Sequence, residues 1–320
     1  MRIVFCGTPQ FAVPTLRHLL AQADFQIVGT ITQPDRPRGR GHEVSFSPVK
    51  ETAAAAGIPV HQPEKIRAPE TQSLLQGLAP DVVVIIAYGQ IIPARLLPIP
   101  KLGWINLHAS LLPKYRGAAP INWAIVNGET KTGVTSMRID AGMDTGEIFL
   151  QREMEIGPAE TAPELAARMS ELGAPLMAET LRGLAAGAIV PRPQEQEGAS
   201  SAPMLKKEDG RIDWSLRAQD IFNRIRGFAP WPGAYTSFRG QTCQIWGEPA
   251  SDELGEQSPT GGEGAVRGSL LIQRNNVLVH CGSATYLRLL SVKLEGRRQV
   301  SAAEFVNGAH LLTSEHFGES

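Results

Sequence analysis

Apolar and polar positions alternate with two different periods along the first half of the chain. Apolar runs at 2–6, 25–33 and 81–89 predict strands, and the last of them, "DVVVIIAYG", contains no polar alternation after its first residue. A run of β-branched residues without alternation indicates a strand that is buried on both faces. The segments 47–57 and "PETQSLLQGLAP" lie between the strands and predict helices. Strands that alternate with helices predict an α/β fold with a mostly parallel sheet.

The pattern continues to residue 187. "GWINLHA" predicts a strand and "APINWAIVNGE" a helix. Two further strands are predicted at 133–140 and 148–156, with "AGMDTGE" as the loop between them, a spacing that a hairpin would satisfy. The 3.6-residue periodicity of 161–187 predicts a longer helix.

The composition changes near residue 190. The stretch 191–210 is polar and rich in Pro, Ser and Gly, which is typical of an interdomain linker. One helix and five short alternating strands follow, and strands of that length separated by turn residues predict a small β-barrel. We therefore expect an α/β domain over 1–188, a linker over 189–206 and a second domain over 207–320.

Composition excludes several classes of protein. Hydrophobic residues make up 42% of the 320 residues, enough for a core, and the net charge of −1 identifies no partner. The three cysteines lie far apart and form no CxxC pair, so neither a disulfide framework nor a zinc site is predicted. No signal peptide and no membrane span is predicted, and we expect a cytoplasmic protein.

The candidate chemistry is concentrated in "INLHASLLPKYRGAAPINWAI". Asn106 and His108 are two residues apart at the end of a predicted strand, so their side chains lie on the same side. Ligands of parallel α/β sheets bind at the carboxyl ends of strands, where Tyr88 is also expected.

These residue types fit acyl transfer. An Asn amide and a protonated His can both donate to a developing oxyanion, and a carboxylate such as Asp144 can hold the His charge. The motifs GxGxxG, GxxxxGK[ST], HExxH and GxSxG are absent. Without a Ser or Cys nucleophile beside them, the three residues suit direct attack of a substrate amine on an acyl donor.

Structural explanations of the same residues stay open at this point. An Asn–x–His pair at a strand end also occurs as a hydrogen-bonding pair within a fold. Asp144 lies between Gly142 and Gly146 and is also a typical turn residue. Asp140 is an equally acidic neighbour that the spacing does not exclude.

Four segments together resemble a known family. "FCGTPQFAVPTL", "ITQPDRPRGRG", "INLHASLLPKYRGAAPINWAI" and "GMDTGEI" resemble the folate-dependent formyltransferases, and the similarity to their methionyl-tRNA formyltransferase branch continues in order through "RIDW" and "PWPGA". The resemblance implies a Rossmann-like formyltransferase sheet with a C-terminal OB-like β-barrel. It further implies transfer of a formyl group from 10-formyltetrahydrofolate to the α-amino group of methionyl initiator tRNA, without a metal.

The resemblance also assigns residues. Asn106, His108 and Asp144 match the catalytic trio of the family. The positions that match its folate-contacting segments are Ser110, Leu111, Leu112 and Pro113, with Ile86, Tyr88 and Gly89 at the pterin pocket.

The tRNA is expected to meet two groups of cations. The family uses the loop "QPDRPRGRGHEVSFSP" to approach the tRNA acceptor end, here with Arg36, Arg38 and Arg40, although Glu43 weakens the positive field in its second half. Cations at the domain junction are expected to contact phosphates, namely Lys206, Lys207, Arg211, Arg224 and Arg226. Trp231 and Trp246 are expected in the core.

Related reactions remain alternatives. The acceptor of the same formyl donor can be a purine precursor or an amino-sugar nucleotide, and water in place of the amine gives a deformylase. A short single-domain enzyme for purine precursors would lack residues 207–320. A non-catalytic RNA-binding protein would not need Asn106, His108 and Asp144. The sequence carries no signal for oligomerisation, and we expect a monomer.

Overall fold

The computed structural model describes residues 1–38, 43–251, 266–273, 276–311 and 315–318. They form two compact units. Unit 1 comprises Met1–Pro120, Lys131–Glu155 and Glu164–Pro203, and unit 2 comprises Ile121–Thr130, Ile156–Pro163 and Met204–Ser320. Two short segments that precede residue 188 in the chain are thus grouped with the C-terminal residues.

Unit 1 is built on a seven-stranded sheet. Its strands are β1 (Arg2–Gly7), β2 (Gln26–Ile31), β5 (Val60–His61), β6 (Val82–Ile86), β7 (Trp104–His108), β9 (Lys131–Arg138) and β10 (Ile148–Glu155). The spatial order is β10-β9-β7-β6-β1-β2-β5. The pairs from β7 to β5 are parallel, whereas β9 runs antiparallel to β7 and forms a hairpin with β10. The predicted α/β sheet is confirmed.

The central strand shows why the sequence forms this sheet. All five residues of β6 are buried, as the unbroken run of Val and Ile predicts for a strand covered on both faces. The helices of unit 1 are α1 (Val13–Leu20), α2 (Pro48–Ala55), α3 (Pro69–Leu78) and, from Glu164 onward, α5 (Ala162–Ala185). All but the first residue of α4 (Pro120–Val126) belongs to unit 2. Helix α2 begins where Ser47 accepts a hydrogen bond from the Lys50 amide, with a proline in the first turn.

Two short ladders were not predicted. Strands β3 (Arg36–Arg38) and β4 (Glu43–Ser45) pair antiparallel at the base of the basic loop. Strands β8 (Arg116–Gly117) and β11 (Ser201–Ala202) pair in parallel, although they lie far apart in the sequence.

The second ladder changes the interpretation of the predicted linker. Residues up to Pro203 belong to unit 1. Arg192 and Ile148 exchange two backbone hydrogen bonds, and the Arg116 amide donates to the Ser200 carbonyl over 2.8 Å. The segment is polar because it is exposed, but its backbone still pairs with unit 1, which composition alone does not reveal.

Unit 2 carries an antiparallel sheet. Its elements are α6 (Ala218–Gly227), β12 (Tyr235–Phe238), β13 (Gln241–Pro249), β14 (Leu270–Gln273), β15 (Asn276–His280), β16 (Tyr286–Leu294), β17 (Val300–Ser301) and α7 (Ala302–Ala309). The order is β12-β13-β16-β15-β14, with β17 on β16. The five predicted strands form one sheet, but between the described residues of β12 and β14 no ladder closes it into a barrel.

The core of unit 2 is aromatic. Phe317 stacks on Trp214 at 5.7 Å between ring centroids. It also meets Phe238 edge-to-face and stacks on Phe305. Aromatic pairs of this kind add stability beyond their burial. Among the helices that the structure describes, none combines the length and hydrophobicity that crossing a membrane requires.

Candidate active site

Strand β7 places the two predicted polar residues at the carboxyl edge of the unit 1 sheet. Asn106 lies between Ile85 of β6 and Met137 of β9, and His108 is opposite Thr135. The intervening Leu107 is buried toward the other face at 3% exposure. Asn106 and His108 therefore project from the same face, as the two-residue spacing predicts.

His108 is held at one ring nitrogen by the backbone. Its side chain is 5% exposed, and Nε2 lies 2.9 Å from the carbonyl oxygen of Tyr115. Because a carbonyl only accepts hydrogen bonds, Nε2 carries a proton and donates it. Nδ1 is thereby left as the nitrogen that can change its protonation state. It lies 3.7 Å from Oδ2 of Asp144.

Asp144 occupies the loop between β9 and β10. Its backbone has a φ of 53°, a left-handed conformation that Asp adopts more readily than most residues. Its Oδ2 accepts a hydrogen bond of 2.8 Å from the Gly117 amide, and its side chain is 17% exposed. The carboxylate is thus fixed by a backbone donor on one side and faces His108 on the other.

The structure separates Asp144 from Asp140. The Asp140 carboxylate accepts from the Gly142 amide at 3.0 Å and from Thr145 Oγ1 at 2.9 Å. Both donors belong to the same loop, so Asp140 forms its turn. Asp144 is the carboxylate of this loop that pairs with His108.

Asn106 differs from His108 in its hydrogen bonding. The side chain is half-buried, and its amide makes no hydrogen bond to any residue in the described ranges. Both amide hydrogens therefore have no acceptor among the described residues. An uncommitted amide beside a held imidazole matches the donor set that an oxyanion requires.

The predicted folate segment 110–113 is engaged within unit 1. Ser110 is fully buried and donates to the Lys114 carbonyl over 2.6 Å. Leu112 packs with Met137 and Ile148, and its carbonyl accepts from Gln151. Leu111 is half-buried, and the Pro113 carbonyl accepts from the Ser200 amide. Contact of this segment with folate remains a prediction.

The turn after β6 presents backbone, not side chains. Ile86 is fully buried, and Tyr88 is 2% exposed within the core of unit 1, where burial raises the pKa of its phenol. The Tyr88 carbonyl accepts from Gln33 Nε2 at 3.0 Å. Gly89 is exposed and has a φ of 88°, which favours glycine.

The predicted tRNA-contacting residues lie on both units. Arg36 is exposed in β3 of unit 1. Arg38 belongs to β3 but its side chain, like the whole of Arg40, lies outside the described residues. Lys206 and Lys207 are exposed in unit 2.

Two expectations for unit 2 are wrong. Arg226 is 6% exposed, and its guanidinium donates to the carbonyls of Gly157 and Glu160, so it is not available to a phosphate. Trp231 is 55% exposed and not part of the core. Both predictions followed the usual pattern, in which an Arg of a basic helix is exposed and a Trp in an apolar stretch is buried.

Three residues that shape the site carry no signal in the sequence. The Tyr115 carbonyl and the Gly117 amide are the partners of His108 and Asp144. Gln194 donates from Nε2 to the carbonyls of Asp144 and Gly146. Tyr115 and Gly117 act through backbone atoms, and Gln194 lies 50 residues from Asp144, so neither type nor spacing identifies them.

No cluster of three or more His, Cys, Asp or Glu residues suited to a metal occurs in the part of the chain that the structure describes. The arrangement at the edge of β7 is a donor amide, a held imidazole and a carboxylate. It can stabilise a negative charge on a carbonyl oxygen and exchange a proton at Nδ1 of His108.

Comparison with known proteins agrees with this chemistry. Residues 1–181 match the family model "Formyl transferase", and residues 204–310 match "Formyl transferase, C-terminal domain". The methionyl-tRNA formyltransferase of Solibacter usitatus is 52% identical over 319 residues, which cover 100% of this chain and 99% of the relative. The enzyme of the same name from Koribacter versatilis is 49% identical over 320 residues, 99% of each chain.

A solved structure has a similar fold at low identity. The crystal structure of WlaRD, a sugar 3N-formyl transferase, in the presence of dTDP and 5-N-formyl-THF, superposes with a TM-score of 0.64 at 17% identity. The similarity covers 93% of this chain and 99% of that chain. The resemblance stated from the sequence is thereby confirmed, and the chain belongs to the formyl transferase family.

Proposed function

We infer that the chain transfers a formyl group from 10-formyltetrahydrofolate to the α-amino group of methionyl initiator tRNA. The observation that carries this inference is the grouping of Asn106, His108 and Asp144 at one sheet edge. The chain in which they occur is about half identical, from end to end, to enzymes named methionyl-tRNA formyltransferase.

The three residues have distinct roles in this reaction. The pKa of an unperturbed α-amino group is near 8, so a fraction of it is neutral at physiological pH. This neutral amine attacks the formyl carbon. The free amide of Asn106 donates to the oxyanion that forms, and His108 stabilises the same charge while it is protonated. Asp144 stabilises the protonated ring across the 3.7 Å that separates Oδ2 from Nδ1. The attacking nitrogen loses a proton and folate N10 gains one, and the bond between the formyl carbon and N10 then breaks, so that tetrahydrofolate leaves as a neutral amine.

The formyl donor is proposed to lie between two backbone segments. At Tyr88 and Gly89 the backbone is not covered by their own side chains, because that of Tyr88 is buried and glycine has none. The segment Ser110–Pro113 follows shortly after β7. Backbone N–H and C=O groups at such turns suit the polar edge of a pterin. The crystal structure of WlaRD was determined in the presence of 5-N-formyl-THF, which supports a folate donor in this fold.

The tRNA is proposed to contact exposed cations on both units. Lys206 and Lys207 supply phosphate contacts from unit 2, and Arg36 with the rest of the basic loop supplies them from unit 1. In this proposal residues 1–188 catalyse and residues 207–320 form an OB-like barrel that binds tRNA, with 189–206 between them.

An acceptor assay tests the function. The protein is incubated with 10-formyltetrahydrofolate and charged initiator tRNA, elongator methionyl-tRNA, an amino-sugar nucleotide or no acceptor, and formylated products are separated. Formylmethionyl initiator tRNA as the main product supports the proposal. Formyl transfer mainly to the sugar, release of formate without an acceptor, or tRNA binding without transfer would each contradict it. Replacing the donor with 5-formyltetrahydrofolate tests the position of the formyl group.

A further inference from the structure

The immediate partners of His108 and Asp144 lie within three consecutive residues. His108 Nε2 donates to the Tyr115 carbonyl at 2.9 Å, and the Gly117 amide donates to Asp144 Oδ2 at 2.8 Å. The position of residues 115–117 therefore sets how the imidazole and the carboxylate face each other. Tyr115 and Gly117 have φ values of 62° and 120°, which leaves this segment dependent on external contacts to hold its conformation.

Residues 192–202, hereafter the 192–202 segment, supply those contacts. Ser200 Oγ accepts from the Tyr115 amide at 2.9 Å, and the Ser200 carbonyl accepts from the Arg116 amide at 2.8 Å. Ala202 continues the pairing by accepting from the Ala119 amide at 3.2 Å. The segment thus forms an additional strand edge along residues 115–119.

Gln194 joins the two loops that carry the site. Its Nε2 donates to the carbonyls of Asp144 and Gly146 at 2.8 and 2.7 Å, and its Oε1 accepts from Arg116 Nε at 2.9 Å. One side chain therefore ties the Asp144 loop to the segment that holds His108. Only a primary amide offers two donors and an acceptor in this arrangement, because a carboxylate at the same place would face two carbonyl oxygens without a proton.

We propose that Gln194, supported by Ser200, is a positioning residue that sets the geometry between His108 and Asp144. The proposal rests on the proposed function of this site. It extends that function to Gln194 and Ser200, whose uncharged side chains bond to the backbone of Asp144 and Tyr115 and not to the imidazole or the carboxylate. Gln194 acts through the loops, so its loss changes the rate of the chemical step more than the binding of either substrate.

Kinetics give the first test. In Gln194→Ala we expect kcat to fall by about tenfold to a hundredfold, the size of effect that a misplacement of about 1 Å produces. The KM for each substrate is expected to stay within about twofold. Gln196→Ala is the matched control, because Gln196 is exposed and its side chain makes no hydrogen bond to the described residues. Gln194→Glu keeps the acceptor for Arg116 but removes both donors, and it should not restore the rate.

A spectroscopic readout separates positioning from general destabilisation. The ring resonances of His108 are compared in isotope-labelled wild type, Gln194→Ala and Gln196→Ala, with thermal melting as the folding control. We expect the His108 signals to move in the Gln194 variant alone. Unchanged His108 signals in Gln194→Ala, or equal changes in both variants, would overturn the proposal.

The spectra do not require an acceptor, so the positioning proposal is tested even if the wild type fails to formylate tRNA, which would contradict only the proposed function. Should Gln194→Ala not fold, Ser200→Ala removes the acceptor of the Tyr115 amide alone and is subject to the same comparison. Unmoved His108 signals in Ser200→Ala would then overturn the proposal.

Discussion

The two loops beside β7 and the exposed cations of the two units are built in opposite ways. In the loops at 110–117 and 139–147, hydrogen bonds hold the side chains of Ser110, Asp140 and Asp144 and the backbone of Asp144. Arg36, Lys206 and Lys207 are exposed on the surface. The first region fixes atoms relative to one another, and the second places charge.

The difference follows from what each region is proposed to do. Stabilising an oxyanion needs donors about 3 Å from one oxygen, so small displacements reduce the rate. Attraction of a phosphate backbone decays over about 10 Å at moderate salt and tolerates mobile side chains. Substitutions in the loops should therefore change kcat, whereas substitutions of the cations should change tRNA affinity and its dependence on salt.

The largest effect is expected for His108→Ala. In the proposed mechanism the imidazole stabilises the oxyanion, and loss of one such group typically lowers kcat by about 10²- to 10³-fold. Asn106→Ala should behave similarly, since its amide is the uncommitted donor. Formylation rates measured with saturating substrates check both, and circular dichroism verifies the fold. His18→Ala, a half-buried histidine on α1, is the control. Wild-type turnover in either site variant would remove that residue from the mechanism.

A smaller effect is expected for Asp144→Asn. The amide oxygen can still accept from Gly117, but the charge that stabilises protonated His108 is lost. Because Oδ2 and Nδ1 are 3.7 Å apart, the loss is that of an ion pair and not of a hydrogen bond, and we expect kcat to fall by about tenfold, which corresponds to about 1.4 kcal/mol. Asp140→Asn is the matched control, because Asp140 bonds only within its own loop among the described residues. A greater loss in Asp140→Asn than in Asp144→Asn would reverse the assignment.

The cations should give a weaker and different response. In the double variant Lys206→Ala/Lys207→Ala we expect the KM for tRNA to rise several-fold with kcat unchanged, since phosphate contacts add affinity. The slope of log affinity against log salt should fall by about 0.9 for each phosphate that is no longer neutralised. Filter binding at several salt concentrations measures both quantities. Lys101→Ala removes an exposed lysine that precedes β7 and serves as the control. A change in kcat instead of KM would contradict the proposal that these cations contribute only to tRNA affinity.

The smallest effect concerns the three buried thiols. Burial raises the pKa of Cys6 well above its usual value and that of Cys243 and Cys281 to about 12. All three should resist a thiol reagent at pH 8 in the native protein and react after denaturation. Cys6 lies in β1, which ends at the same sheet edge as the site. Faster labelling of Cys6 than of the other two would mean that this edge opens and is less fixed than its hydrogen bonds indicate.

The same shifts give the sign of a pH effect on stability. The unfolded chain loses the thiol protons above about pH 8.5, whereas the folded chain retains them. The unfolded state then binds fewer protons, so the free energy of unfolding falls as pH rises from there toward the folded pKa of about 12. Replacing Cys243 and Cys281 with Ala should make the melting temperature less dependent on pH in this range. An unchanged pH dependence would contradict the assignment.

Several elements could be predicted because a local signal specifies them. The buried run of β6 and the proline at the start of α2 are examples. Helix α7 has such a signal too, since Ser301 and Glu304 form a capping box, although it was not among the predicted elements. The pairing of β8 with β11 has none, because two-residue strands show no periodicity.

The position of the candidate site could be predicted where it consists of side chains. Asn106 and His108 followed from their spacing on one strand, and the family resemblance selected Asp144 over Asp140. The backbone partners at Tyr115 and Gly117 could not be predicted, because every residue type offers the same carbonyl and nearly every type the same amide. Gln194 lies in a polar stretch whose composition predicted an interdomain linker.

Gly117 has no space for a side chain, and this limits which natural variants the protein tolerates. A Cβ atom added there would lie 2.7 Å from the Ala202 carbonyl oxygen, and the φ of 120° already disfavours any other residue. A single methyl group at this position would therefore wedge apart two backbones and turn the Gly117 amide away from its carboxylate. Natural variants at Gly117 should be as rare as variants at His108, although glycine brings no reactive group of its own.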